Sequence, residues 1–124
     1  MINSKTLITT ALEGNKDLIA LIGKDVEENP RIYHLKAPRA DDYPRITFFE
    51  INNVDSNYAD DDVTASEVDI QISIWVMDPS LLTQISNQVN KTMRAHNFKR
   101  YFVTELYEKD TGVYHKPMRY SANL

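Results

Sequence analysis

No cysteine occurs in the sequence. That excludes disulfide staples, thiolate nucleophiles and cysteine metal clusters, and it fits a reducing compartment. Glycine is scarce, with three in the chain, so a glycine-rich phosphate cradle has little to be built from. No apolar stretch approaches the ~18 residues of a membrane span. The opening MINSKTLITTALEG is polar and lacks the continuous apolar segment of a secretory leader. Positive charge is in deficit: 14 Lys and Arg stand against 18 Asp and Glu, a formal net charge of −4. Such a surface does not draw a phosphate backbone from a distance. The three histidines, His34, His96 and His115, sit in no H-E-x-x-H or G-x-S-x-G setting. His96 falls at the end of a helical stripe, where a cation suits the helix C-terminus, so it reads as a capping or packing residue.

What is present suits one domain over residues 1–124. At 42% apolar residues, the chain can bury a core without staples. Asn3 or Ser4 can cap a first helix. Leu7, Ile8, Ala11 and Leu12 share one helical face, Gly14-Asn15 interrupts it, and Leu18 to Ile22 resume it before Gly23. The pattern predicts one broken helix or two short ones over residues 4–22. Residues 24–43 hold Pro30 and Pro38, with Pro44 following, and read as a long loop in which Arg31 to Leu35 is a candidate short strand. Pro44 to Ile51 reads as a strand, and residues 52–64 as a polar strand connection. Val68, Ile70, Ile72, Ile74 and Val76 then alternate with polar or bulky residues, which puts all five on one sheet face. Asp78-Pro79 starts a helix over 79–95. Phe98 to Tyr107 and Val113 to Ala122 read as the last strands, with Pro117 suggesting an edge or a bulge. The expected fold is α+β, in the order α-β-β-α-β-β, with an antiparallel sheet of about four strands and two helices on one face.

Asp60, Asp61 and Asp62, with Glu67 and Asp69 beyond them, raise the question of a metal. Adjacent residues in an extended chain point opposite ways, whereas a hard cation wants converging oxygens. No D-x-D-x-D-G pattern is present, so the preferred reading is a charged connection that discourages edge pairing. A small metal-dependent hydrolase using this loop stays as an alternative. A second alternative is an RNA-binding module using strand 98–107, where KRYFVTELY sets aromatics beside basic residues but without the glycine spacing of an RNA-recognition strand. In that strand Phe102 and Leu106 are expected in the core, with Tyr101, Val103 and Tyr107 opposite. Phe48 and Phe49 must point to opposite sheet faces. Phe49, Trp75, Met77, Tyr101 and Tyr107 therefore crowd the face away from the helices, where solvent favours polar groups. Either the loop 24–43 folds over that face or another chain covers it, and the interface reading is preferred.

Gly23, the Arg31-Ile32-Tyr33 segment, Pro44, the strand Val68 to Trp75 and the ending His115 to Tyr120 together resemble the small tail-completion proteins of long-tailed siphophages and prophages, the head-to-tail joining family related to tail terminators. The resemblance spans nearly the whole chain. It implies a structural, non-enzymatic virion protein, without cofactor or metal, assembled in the host cytoplasm. It implies a ring, commonly a hexamer, between the tail-tube protein and a head connector or stopper, with DNA passing through unbound. Tyr58, Asp60, Asp61 and Asp62 would then lie on a loop that faces the lumen or a partner, where like charge keeps DNA from sticking.

Overall fold

A computed structural model describes residues 3–59 and 62–124. Helix α1 spans Ser4–Glu13 and α2 spans Lys16–Ile22. Strand β1 is Ile32–His34, β2 is Arg45–Ala59 and β3 is Asp62–Val76. Helix α3 is Pro79–Ala95, followed by β4 (Lys99–Val103), β5 (Leu106–Glu108) and β6 (Val113–Asn123).

Local chemistry sets the helix ends. Asn3 accepts a hydrogen bond from the Thr6 N–H, Asn15 from Leu18, and Asp78 from Ser80, each meeting an orphan donor of a first turn. Asn15 also ties helices together, because its Nδ2 donates to Gln88 and to Thr92 Oγ1 on α3. The short break between α1 and α2 is thereby pinned to the long helix. Gly23 ends α2 at φ 69°, and a Cβ there would lie 3.1 Å from Arg31 Nη1. That guanidinium donates to Ile22 O at 2.9 Å. Its Nε lies 3.0 Å from Asp42 Oδ1 but off the N–H line, an ion pair rather than a hydrogen bond.

The sheet order is β1-β2-β3-β6-β4, with β5 also on β6. β1 runs parallel to β2, and the other pairings are antiparallel. The helices lie on one face. Ile8, Leu12, Leu18, Ile22, Leu82, Ile85, Val89 and Met93 close over Ile70, Ile72, Ile74, Phe48, Met118 and Tyr120. Burial pushes the Tyr120 phenol up to about 12, and its hydroxyl donates to Asn90 Oδ1 at 3.2 Å.

Three expectations need correction. The sheet is mixed, with six strands rather than an antiparallel four, and three helices cover it rather than two. The candidate strand inside the loop 24–43 is present as the parallel strand β1, whose backbone pairs Ile32 with Ile46 and His34 with Phe48. Of the expected polar connection 52–64, residues 52–59 and 62–64 instead continue two 15-residue strands. Backbone ladders do not depend on side-chain polarity, so a run rich in asparagine and aspartate can still pair as strand. Finally, Pro117 lies on an inner strand. Its C=O accepts from Thr104 at 3.3 Å, so its missing N–H faces the same neighbour, at the interruption between β4 and β5.

Candidate interaction surface

The face of the sheet turned from the helices is built in rows by the strand register. Arg45, Trp75, His115 and Leu106 form one row across β2, β3, β6 and β5. Phe49, Gln71, Arg119 and Phe102 form another. Trp75 stacks flat on His115, with centroids 3.6 Å apart and planes 8° apart. Its Nε1–H donates to Thr47 Oγ1 at 3.0 Å. The Arg45 guanidinium lies 5.4 Å from the Trp75 ring centre and 4.5 Å from that of Tyr43, the cation–π range. Its Nη1 also donates to Arg39 O and Ala40 O. Arg119 donates to Gln71 and covers the Phe102 ring at 5.0 Å.

These contacts leave Phe49 and Trp75 half-buried. The end of the loop, residues 39–43, packs against Arg45 at one corner of this face. Burial holds the pKa of His115 below the usual histidine value; Glu108 opposes that shift and Arg45 adds to it. The His115 Nε2 atom is buried without a hydrogen-bond partner among the described residues, so the neutral ring is the form this stack accommodates.

The apolar excess lies elsewhere, along β4 and β5. Met77, Tyr101, Phe102, Val103, Leu106 and Tyr107 are each 41–55% exposed. Both strands pair with β6 on one side and have no described strand on the other. Phe102 and Leu106 are therefore not core residues, contrary to the alternation. Register explains it. Phe98 is buried and Arg100 pairs with Tyr120, but a register shift after Arg100 pairs Phe102 with Arg119 on the open face. Val103 then pairs with Met118 and Tyr107 with Tyr114, which puts these two on the helix side. The Tyr107 and Tyr114 rings meet at 4.8 Å. A bulge inserts one residue and inverts the alternation beyond it.

The five apolar residues singled out from sequence thus fall into two groups. Phe49 and Trp75 belong to the open face and are partly satisfied within the chain, while Met77, Tyr101 and Tyr107 remain exposed at the strand end and edge. Sequence reasoning missed Arg45, His115 and Arg119, although the alternation of PRITFFEI already set Arg45 and Thr47 on the same face as Phe49. Asp60 and Asp61 lie outside the described residues. Tyr58 and Asp62 are in the last pairs of the β2–β3 ladder, Tyr58 with Val63 and Ala59 with Asp62. Among the described residues no three His, Asp or Glu side chains group as metal ligands, and no helix is long and apolar enough to cross a membrane.

The family model of the tail completion protein gp17 matches residues 6–123. No curated protein sequence matches the chain. Among solved structures, a chain from the virion of a native gene transfer agent (GTA) particle is similar in fold, with a TM-score of 0.70 and 9% identity. The match covers 94% of this chain and 90% of that one.

Proposed function

Because this chain belongs to the family of the tail completion protein gp17, a structural family of the phage tail, we propose that it forms a ring at the head-proximal end of the tail. The ring, with a hexamer as the expected form, joins the tail-tube protein to the head connector or stopper. DNA passes through it without specific binding. The chain acts by assembly and not by turning over a substrate.

One observation carries this reading: the β4–β5 edge presents large apolar side chains and an unpaired strand side together. An edge of that kind is a liability in a solitary protein and an asset in one that adds to neighbours. A ring needs a head-to-tail interface whose rotation closes, and an edge meeting a different surface of the next copy is of that type. Phe49, Trp75, Met77, Tyr101 and Tyr107 are the residues assigned to it, with Phe102 and Leu106 added by the register.

Electron microscopy of the purified chain, alone and with the tail-tube protein, tests the reading. Closed rings are expected, and particles produced without this protein should accumulate as filled heads beside unjoined tails. A chain that stays monomeric with the tail-tube protein, together with normal joining in its absence, overturns it.

A further inference from the structure

Cations and carboxylates are not mixed evenly along this chain. Residues 79–104 hold four Lys and Arg and no Asp or Glu, in a protein of net charge −4. All four, Lys91, Arg94, Lys99 and Arg100, are exposed. The fold gathers them where α3 ends and β4 begins. Asn97, at φ 68°, turns the chain there. A groove of about 540 Å³ opens at the turn, lined by Asn90, Arg94, Asn97, Phe98, Lys99 and Arg100. Lys91 lies beside Arg94 on the adjoining surface.

Every charge in this lining is positive. Among the described residues Arg94, Lys99 and Arg100 make no ion pair. Asn90 adds a donor, because its Oδ1 accepts from the Tyr120 hydroxyl and its Nδ2 is left to donate elsewhere. Arg94 alone would be an ordinary helix-end cation, favoured by the dipole. That does not account for Lys99 and Arg100, which lie past the helix on β4. Nor does the lining suit a small apolar ligand, since its one apolar side chain, Phe98, is 1% exposed. Like charges around one groove repel one another, and a bound oxyanion relieves that repulsion.

The groove continues into an apolar stretch. Arg100 pairs with Tyr120 and Val103 with Met118, so both lie on the helix side of β4. Tyr107 follows on the same side of β5. Val103 is 41% and Tyr107 55% exposed, and no described strand lies beyond β4. Charged side chains can guard a free edge, but here they stand at one end only. What fits this edge is acidic at one end and apolar at the other. Duplex DNA carries phosphate along its whole length, and a net charge of −4 repels it at range. An extended polypeptide can supply both ends.

We propose that the α3–β4 groove is a carboxylate-binding site for an extended segment of a partner protein, whose Asp or Glu side chains meet Arg94, Lys99 and Arg100 and whose following apolar residues cover Val103 and Tyr107. The proposal rests on the assembly reading above, in that a protein meets this edge, and it gives the chemistry of that protein. Complementary charge steers the encounter, and burial of the apolar end prolongs it.

Fluorescence anisotropy with labelled model peptides tests the site on the full chain. The peptide ETETVTVT sets carboxylates and then valines on one side of an extended segment. QTQTVTVT keeps the shape without the charge, and ETETSTST lacks the apolar end. The first should bind about 10-fold or more tightly than either of the others at low salt. Its advantage over QTQTVTVT should shrink at ~0.5 M salt. The Arg94→Glu, Lys99→Glu variant should bind ETETVTVT about 10-fold more weakly and take the charge-reversed KTKTVTVT in its place, a swap that also shows that the variant folds. Amide exchange of the parent chain should slow along β4 and stay unchanged in β1 when ETETVTVT is added, so the parent alone decides the matter if the variant takes neither peptide. Equal binding of ETETVTVT and QTQTVTVT by the parent, or protection away from β4, overturns the site; rings formed with the tail-tube protein in that case leave the assembly reading standing. Peptide binding as expected by a chain that forms no assembly supports the site and removes the ring. Retention of short single-stranded or duplex DNA by the parent in preference to ETETVTVT, lost in the variant, assigns the groove to a phosphate backbone and overturns the proposal.

Discussion

Strand β3 and the broken strand β4–β5 are both rich in large apolar residues, yet they meet opposite fates. Ile70, Ile72, Ile74 and Val76 are shut under the helices with at most 1% exposed. Tyr101, Phe102, Val103, Leu106 and Tyr107 stand in solvent on both faces of the outermost strands. Composition does not separate them; position relative to the helix layer does. Three helices are enough to roof the centre of the sheet, and the strand beyond β6 lies past their reach. An apolar residue buried within the chain contributes to its folding, whereas one left at an edge contributes when a second surface arrives.

The largest effect that would break this contrast is expected at the centre. Ile72→Ala empties a site that is 0% exposed and should cost about 2–5 kcal/mol, read as a shift of the urea midpoint. A loss as small as that of an edge substitution would show that the roof is looser than it looks. The cap that starts the roofing helix comes next. Asp78 accepts from the Ser80 N–H at 2.9 Å, so Asp78→Ala should cost about 1 kcal/mol in the same measurement.

A pH series sharpens the contrast on the open face. The folded pKa of His115 lies below the ordinary value of 6.5. Stability from the neutral ring is therefore whole above pH 6.5 and lost as the pH falls below it, because the unfolded chain takes up the proton first. His115→Gln should flatten the fall in melting temperature between about pH 7 and pH 5, at the expense of the Trp75 stack at every pH. An unchanged slope would place the titration elsewhere. The smallest stability effect is expected at the edge itself. Phe102→Ser should change unfolding free energy by no more than about 0.5 kcal/mol, while weakening self-association measured by sedimentation. A large loss of monomer stability would assign Phe102 to folding and not to assembly.

Much of the fold was legible because short-range rules were strong. Asn15, Gly23 and Asp78-Pro79 set helix ends through hydrogen bonds a few residues long, and the alternation from Val68 to Val76 gave the buried face of β3. The outer ends of β2 and β3 were not legible, since their polar residues carry no apolar alternation and a ladder of backbone hydrogen bonds does not require one. β1 was only half visible, because its parallel partner Ile46 is fourteen positions away and no local signal reports such a pairing. At the interaction surface the apolar residues could be named, but not their roles. One extra residue in β4 exchanges Phe102 for its neighbours, and only the pairing with Arg119 reveals it.

Sequence by itself determined the ends of the helices, the inward row of β3 and the lack of any cysteine or glycine-loop chemistry, since each depends on residue type or on contacts within a turn. The tertiary structure decided which apolar residues are sheltered and which are left for a partner. It also brought Arg45, Trp75 and His115 from three strands into one stack on the open face. Those outcomes depend on strand order and register, which arise from pairings between distant residues and are not written in any one segment.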